Sequence, residues 1–403
     1  MIRIVRRPFQ ALAGNRPVLA RRENVVPATQ AVAFLLGIVV ALILGVILLW
    51  TSGHSPAEVY ERMFDSAFMG TDSLSRTLER ATPLALTGLS VAVAGSMGLW
   101  NIGAEGQMMA GAIVATGVAM MADGLSGPLL IALMMVSGVV GGMVLMLGPA
   151  LARSHLRVSE IITTLMLVYV AIRVVEWLET GPWKDPESFG FAVIEPVPEQ
   201  AALPGLFGRA NIGVLIALGL LLVFWLAVSR TAWGYELRLA GSSPDTARYA
   251  GVSLRRKVLT ALLLSGGIAG LAGAVQLTGS AVRLESGLSN GYGFAGIIVA
   301  ALALMRPSGV AVVAFVFGAV QVGGQSIQTL GVSSAISDIL QAMILFGALV
   351  AVVFFNYRVR WTGPGGGSSS ADPAEPDPVE PDPVEPGPVE PDPVEPDPVE
   401  GAA

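Results

Sequence analysis

No cysteine occurs anywhere in the chain, and only two histidines do, His54 and His155. The first absence excludes thiolate catalysis, cysteine-ligated zinc and disulfides together. The second leaves too few imidazoles for a histidine-built metal centre. No metal site and no cofactor are therefore expected. Charge is scarce as well: Asp, Glu, Lys and Arg make up 13% of the residues, against 53% hydrophobic, and the mean hydropathy is +0.67. A soluble domain carries about twice that share of charge, so the composition predicts a polytopic membrane protein. The alternation of residues that a membrane β-barrel needs is missing, and the expected fold class is all-α.

What charge there is lies unevenly. Residues 371–400, ADPAEPDPVEPDPVEPGPVEPDPVEPDPVE, hold eleven acids and no base, which more than accounts for the net charge of −6 and leaves the rest of the chain basic. A repeating unit of proline and acid can build neither a core nor a continuous helix, so an extended, solvated tail is expected over 361–403. Before it, a basic cytoplasmic segment over 1–30 and a transmembrane domain over 31–360 complete the expected organisation.

Apolar runs of membrane-crossing length, about 20 residues each, fall near 31–50, 83–99, 103–122, 128–150, 158–179, 212–229, 258–280, 291–305, 309–329 and 335–356. About ten transmembrane helices are thus expected. The first run follows six arginines within residues 1–22 and lacks a cleavage-site ending, which keeps the N-terminus cytoplasmic. Alternation from that start places 1–30, 152–157, 230–257, 306 and 356–360 inside, and these segments hold 17 of the 24 Lys and Arg residues. The segments placed outside, 51–82 and 180–211, are rich in acids. Both termini are then cytoplasmic.

One joint stands apart. GLWNIGAEGQMMAG, residues 98–111, sets Asn101, Glu105 and Gln107 into an otherwise apolar region. Parity makes it a tight cytoplasmic turn, while Gly98, Gly103 and Gly106 equally allow a broken helix inside the membrane. An acid at such a place costs several kcal/mol if unpaired, so it marks a pathway or a structural lock. In the first reading Asn101, Glu105 and Gln107 border a translocation cavity, with Trp100, Tyr292 or Phe294 available to stack on a base. In the second Glu105 accepts bonds from the backbone of a broken helix; this reading is favoured for Glu105, and Asn101 and Gln107 stay open. Arg157 with Glu160, and Arg173 with Glu176, stand at the i,i+3 spacing of helical ion pairs.

Two soluble-protein motifs turn out to be decoys. GYGFAG at 291–296 fits a dinucleotide fingerprint but opens an apolar helix with no strand before it. LSGG at 264–267 matches an ATPase signature, yet no phosphate-binding loop of the G-x-x-x-x-G-K-[ST] type occurs to go with it. The chain is expected to be no enzyme and to hydrolyse no ATP itself. The run around LSGG puts Gly266, Gly270 and Gly273 at helical spacing, where a neighbouring helix can come close.

The loop RTAWGYELRLAGSSPDTARYAGVSLRRK, 230–257, is organised. Ser243 as N-cap, Pro244 in the first turn, Asp245 against the helix dipole and Gly251 as stop predict a helix of about two turns showing Arg248 and Tyr249. It reads equally as a plug for a partner protein or as an amphipathic interfacial helix.

GLWNIGAEGQ resembles the G-L-F-N-I-G-A-E-G-Q signature of the nucleoside-type permeases of ABC importers, in the group that includes branched-chain amino acid and ribose permeases. VSEIITTLML at 158–167, the 230–252 segment and GYGFAGIIVAALAL at 291–304 are similar to that family's further motifs, in family order, over about residues 80–330. The resemblance implies a permease half working by alternating access, with a second permease subunit, ABC ATPase subunits and an extracytoplasmic solute-binding protein as partners. Membrane lipid is its surroundings and no nucleic-acid partner is implied. Pro244, Asp245, Ala247, Arg248, Tyr249 and Gly251 then fall in the ATPase-coupling segment, and the implied solute is a nucleoside or related neutral solute. The chain departs from the family at Val168, where an amide is usual, at Trp100, where Phe is usual, and at Ser243, where Asn precedes the proline. The rival readings are permeation of sugars or branched-chain amino acids, an ion-coupled secondary transporter, which calls for more intramembrane acids, and a membrane-embedded enzyme, which lacks a nucleophile and base.

Overall fold

The computed structural model describes residues 16–21, 27–122 and 124–362. The segment before Arg16 and the acidic repeat of the tail lie outside the described residues. Contacts divide the chain into a terminal unit, residues 1–20 with 358–403, and a main unit, residues 21–357. Strands β1 (Arg16–Arg21) and β4 (Tyr357–Thr362) pair with each other. In the main unit a short hairpin, β2 (Gly205–Phe207) and β3 (Ala210–Asn211), is the remaining sheet among the described residues.

Each of the ten apolar runs is a helix. In chain order they are α1 (Pro27–Thr51), α3 (Thr71–Gly95), α4 (Ala104–Met121), α5 (Gly127–Leu151), α6 (Glu160–Thr180), α7 (Gly213–Arg230), α10 (Leu254–Gln276), α11 (Tyr292–Leu302), α12 (Pro307–Ser326) and α13 (Ser334–Asn356). Three more helices fall between them: α2 (Pro56–Phe68), α8 (Ala232–Ser242) and α9 (Pro244–Tyr249). Proline opens α1, α2, α9 and α12, where its missing N–H goes unneeded and its fixed φ suits the first turn.

Seven described helices are long and apolar enough to cross a membrane. The others fall short for readable reasons. Helix α3 begins twelve residues before the apolar run does, and its first turns carry Asp72, Arg76, Glu79 and Arg80. Helix α4 is diluted by Glu105 and Gln107 in its first turn. Helix α11 has eleven residues, about 16 Å at 1.5 Å per residue, roughly half of a hydrocarbon core. Helix α2 is amphipathic, burying Val59, Met63 and Ala67 at i, i+4 and i+8.

Glycine sets the centre of the bundle. Helix α10 packs on α4 and α5, and a Cβ placed on Gly273 would overlap the Met108 carbonyl while one on Gly270 would overlap that of Gly138. Small residues there let three backbones approach to a distance no larger side chain permits. Around this seam a main core takes in Leu84, Leu89, Met108, Met134, Leu271 and Val299. A second cluster, at the far end of α3, joins Met97 and Leu99 to Leu237, Ala247 and Leu262.

Candidate functional site

The stretch 96–103 leaves α3 and turns back into the bundle to start α4. Asn101 is fully buried there. Its Nδ2 donates to Gln107 Oε1 at 2.7 Å and to Ser265 Oγ at 2.8 Å. Its Oδ1 accepts from Gln107 Nε2 at 3.0 Å and from the Gly103 N–H at 3.0 Å. The second Gln107 proton points to Met146 Sδ at 3.3 Å, and Ser90 and Ser265 each donate to the other's carbonyl at 2.7 Å. Every amide proton in the cluster has a partner, so α3, α4 and α10 are tied by a closed polar network that leaves no donor for a solute.

Glu105 acts at a distance in sequence. Its Oε1 accepts the Gly291 N–H at 3.1 Å and its Oε2 the Gly293 N–H at 2.6 Å. These two N–H groups belong to the first turn of α11, which has no helical acceptor for them, and a carboxylate there also opposes the positive end of the helix dipole. Gly293 has to be glycine, since a Cβ would overlap the Glu105 backbone. Tyr292 follows directly: its carbonyl accepts from Thr87 Oγ1 at 2.9 Å, and its hydroxyl accepts from Arg80 Nη1 at 2.8 Å.

The aromatic residues singled out for stacking do not meet. Tyr292 is buried, Phe294 is 41% exposed two positions further along α11, and Trp100 is 40% exposed near the α3 terminus. The Trp100 N–H donates to Glu160 Oε1 at 3.2 Å. Glu160 pairs with Arg153 (3.1 Å), not with Arg157, because Arg157 is a left-handed cap (φ 57°) that lies before α6 and so outside its helical spacing. Arg173 and Glu176 do pair, at 2.5 Å. Val168 is buried, and a Cβ on Gly106 would meet its backbone.

Beside this region sits α9. Ala247 is fully buried in the second core cluster, which anchors the helix, while Tyr249 is 95% exposed. Arg248 pairs with Asp245 at 2.8 Å, Gly251 closes the helix at φ +77°, and Ser243 Oγ lies 2.7 Å from Thr246 Oγ1 instead of capping a backbone N–H. Lys257 bridges to Glu236 at 2.5 Å and tethers α8 to α10. Pro244 and Arg248 line a cleft of about 750 Å³ together with Arg153, Arg157, His155 and Arg255. The cleft lining includes no acid.

A second pair of cavities lies at the other end of α3. One of about 660 Å³ is lined by Arg62, Asp65, Asp72, Arg76 and Gln325, among others. One of about 260 Å³ is lined by Gln276, Glu285, Asn290 and Tyr292. They share Glu79, Arg80 and Arg209. Sequence reasoning singled out Tyr292 alone of this group, since Glu79, Arg209 and Gln276 come from three elements and form no motif.

Residues 73–349 match the family described as branched-chain amino acid transport system / permease component. A glucose ABC transporter permease of Haloferax volcanii is 33% identical over 80% of this chain and 88% of its own. A guanosine ABC transporter permease of Bacillus subtilis is 29% identical over 81% and 94%. A nucleoside ABC transporter permease of Lactococcus lactis subsp. cremoris is 31% identical over 79% and 90%. The match takes in α3 to α13, hence the polar network, the α11 cap and the α9 cleft alike, and the chain belongs to this ABC transporter permease family as a multi-pass protein of the cell membrane.

Proposed function

We propose that this permease subunit passes nucleosides across the membrane, driven by separate ATPase subunits and supplied by an extracytoplasmic binding protein. The observation that carries the solute class is the agreement with guanosine and nucleoside permeases over about four-fifths of the chain. A hexose is the second reading, favoured by the glucose permease of Haloferax volcanii.

The ten helical runs are taken as the membrane-embedded elements, with both termini cytoplasmic. The arginine distribution supports this, because the basic cleft and α9 then face the side on which ATPases work. Helix α9 is the coupling element: Ala247 fixes it to the body, Tyr249 is offered outward, and Arg157 and Arg255 supply positive charge for an acidic partner. ATP-driven motion of that partner would push α9, and α9 would carry α8 and the 96–103 loop through the shared core. Glu105 and the Asn101–Gln107 pair hold the moving parts together.

Uptake by the assembled complex in vesicles, measured for guanosine, glucose and leucine in parallel, tests the solute. Guanosine leading is the expected result. Leucine leading would reject the nucleoside reading.

A further inference from the structure

The 260 Å³ cavity beside the start of α11 includes polar side chains with no protein partner among the described residues. Gln276 is 8% exposed, yet its amide makes no hydrogen bond to any described residue, and it lines this cavity at the last position of α10. Its amide opens onto the cavity, where two donors and an acceptor are free for a solute or water to complete. The Glu79 carboxylate likewise accepts no hydrogen bond from the described residues, although the charges of Arg209, Arg80 and Arg76 act on it. Asn290, held at φ 44° just before α11, adds a second amide with no side-chain bond.

The charges also balance. Glu79 and Glu285 line the cavity with Arg80 and Arg209, so the lining has no net sign. The one feature that would favour an anion, the N-terminus of the short helix α11, is already filled by the Glu105 carboxylate. Arg80 is held in place by the Tyr292 hydroxyl at 2.8 Å and Gln325 Oε1 at 3.3 Å, which makes one wall rigid. A neutral solute rich in hydroxyls matches this set: carboxylate for a pair of O–H groups, guanidinium and amide for oxygens and ring nitrogens. A branched aliphatic side chain would meet only Leu288 and Ala281 as apolar lining.

We propose that Glu79, Arg80, Arg209, Gln276, Asn290 and Tyr292 form a solute-recognition site for a neutral polyhydroxylated solute, with the Glu79 carboxylate accepting a vicinal diol and the Gln276 amide bonding the remainder. The site rests on the importer reading and deepens it. It makes the permease itself selective, in series with the binding protein, and the wider cavity that shares Glu79, Arg80 and Arg209 is its entrance.

The test uses the full complex in vesicles and compares guanosine with 2′,3′-dideoxyguanosine, which lacks the diol, for the unchanged chain, Glu79→Gln and Gln276→Leu. Glucose and leucine are run alongside. The expected result is that Glu79→Gln lowers guanosine uptake about tenfold and dideoxyguanosine uptake hardly at all, the size of a charge-assisted hydrogen bond pair. Gln276→Leu lowers uptake of both nucleosides. A parallel loss of both nucleosides in Glu79→Gln, or uptake unchanged in both variants, overturns the site. If the unchanged chain carries glucose and not guanosine, the nucleoside reading fails while the same loss of glucose uptake in Glu79→Gln sustains the site. Leucine carried in place of either hydroxylated solute overturns both.

Discussion

The two ends of α3 differ in how they use arginine. At the end that continues into Met97 and Leu99, Arg153, Arg157, Arg248 and Arg255 line one cleft with no acid in its wall. At the other end, about 25 Å away along the helix, Arg80 and Arg209 line a cavity of no net charge together with Glu79 and Glu285. A surface of one sign attracts a macromolecular partner at long range and loses strength in salt. A balanced pocket selects by hydrogen bonds and is indifferent to ionic strength. On the proposed reading one end docks a partner and the other holds a solute, with the buried glycine seam and polar network lying between them.

The largest effect is expected where the two ends are joined. Glu105→Ala leaves the Gly291 and Gly293 N–H groups without acceptors, a loss of about 4 kcal/mol at about 1–3 per buried group; thermal unfolding in detergent should fall by several degrees or more, with Glu105→Gln recovering about half. Gly273→Val comes next, at about 3 kcal/mol, because its side chain would enter the Met108 carbonyl. Size-exclusion chromatography should show poorly folded protein for Val and a milder defect for Ala.

The third prediction separates the two ends. Arg157→Glu with Arg255→Glu should weaken ATPase co-purification about tenfold and flatten its salt dependence, and replacing the exposed Tyr249 with Ala should weaken it further. Arg76→Glu, in the opposite cavity, should leave co-purification untouched. Equal losses from both ends would erase the distinction. The smallest effect is Ser90→Ala, which removes one donor from a network that α10 still satisfies in part, for about 1 kcal/mol in unfolding free energy.

Local signals were legible in the sequence. The apolar runs became helices, Pro244 and Gly251 bounded α9, and the Gly266–Gly270–Gly273 spacing marked the face on which α4 and α5 pack. Long-range partners were not. Nothing in the sequence announces that Glu105 reaches residues 291 and 293, or that Asn101 and Gln107 bond each other while Ser265 completes them. Arg157 illustrates the limit of spacing rules, since its left-handed backbone put it outside the helix on which the i,i+3 pairing depends. Helix α2 escaped notice because Glu58, Glu61, Arg62 and Asp65 break up its apolar residues, so it does not read as a membrane run.

On the proposed reading the chain contains the path but not the engine, and takes its drive at the α9 cleft. Solute uptake into vesicles, measured with ATP supplied, in the presence and absence of the ATPase subunits, tests it most directly. The account predicts uptake only with both ATP and ATPases, lost when Arg157→Glu and Arg255→Glu detach them. Uptake sustained by an ion gradient in vesicles without ATPases would contradict it.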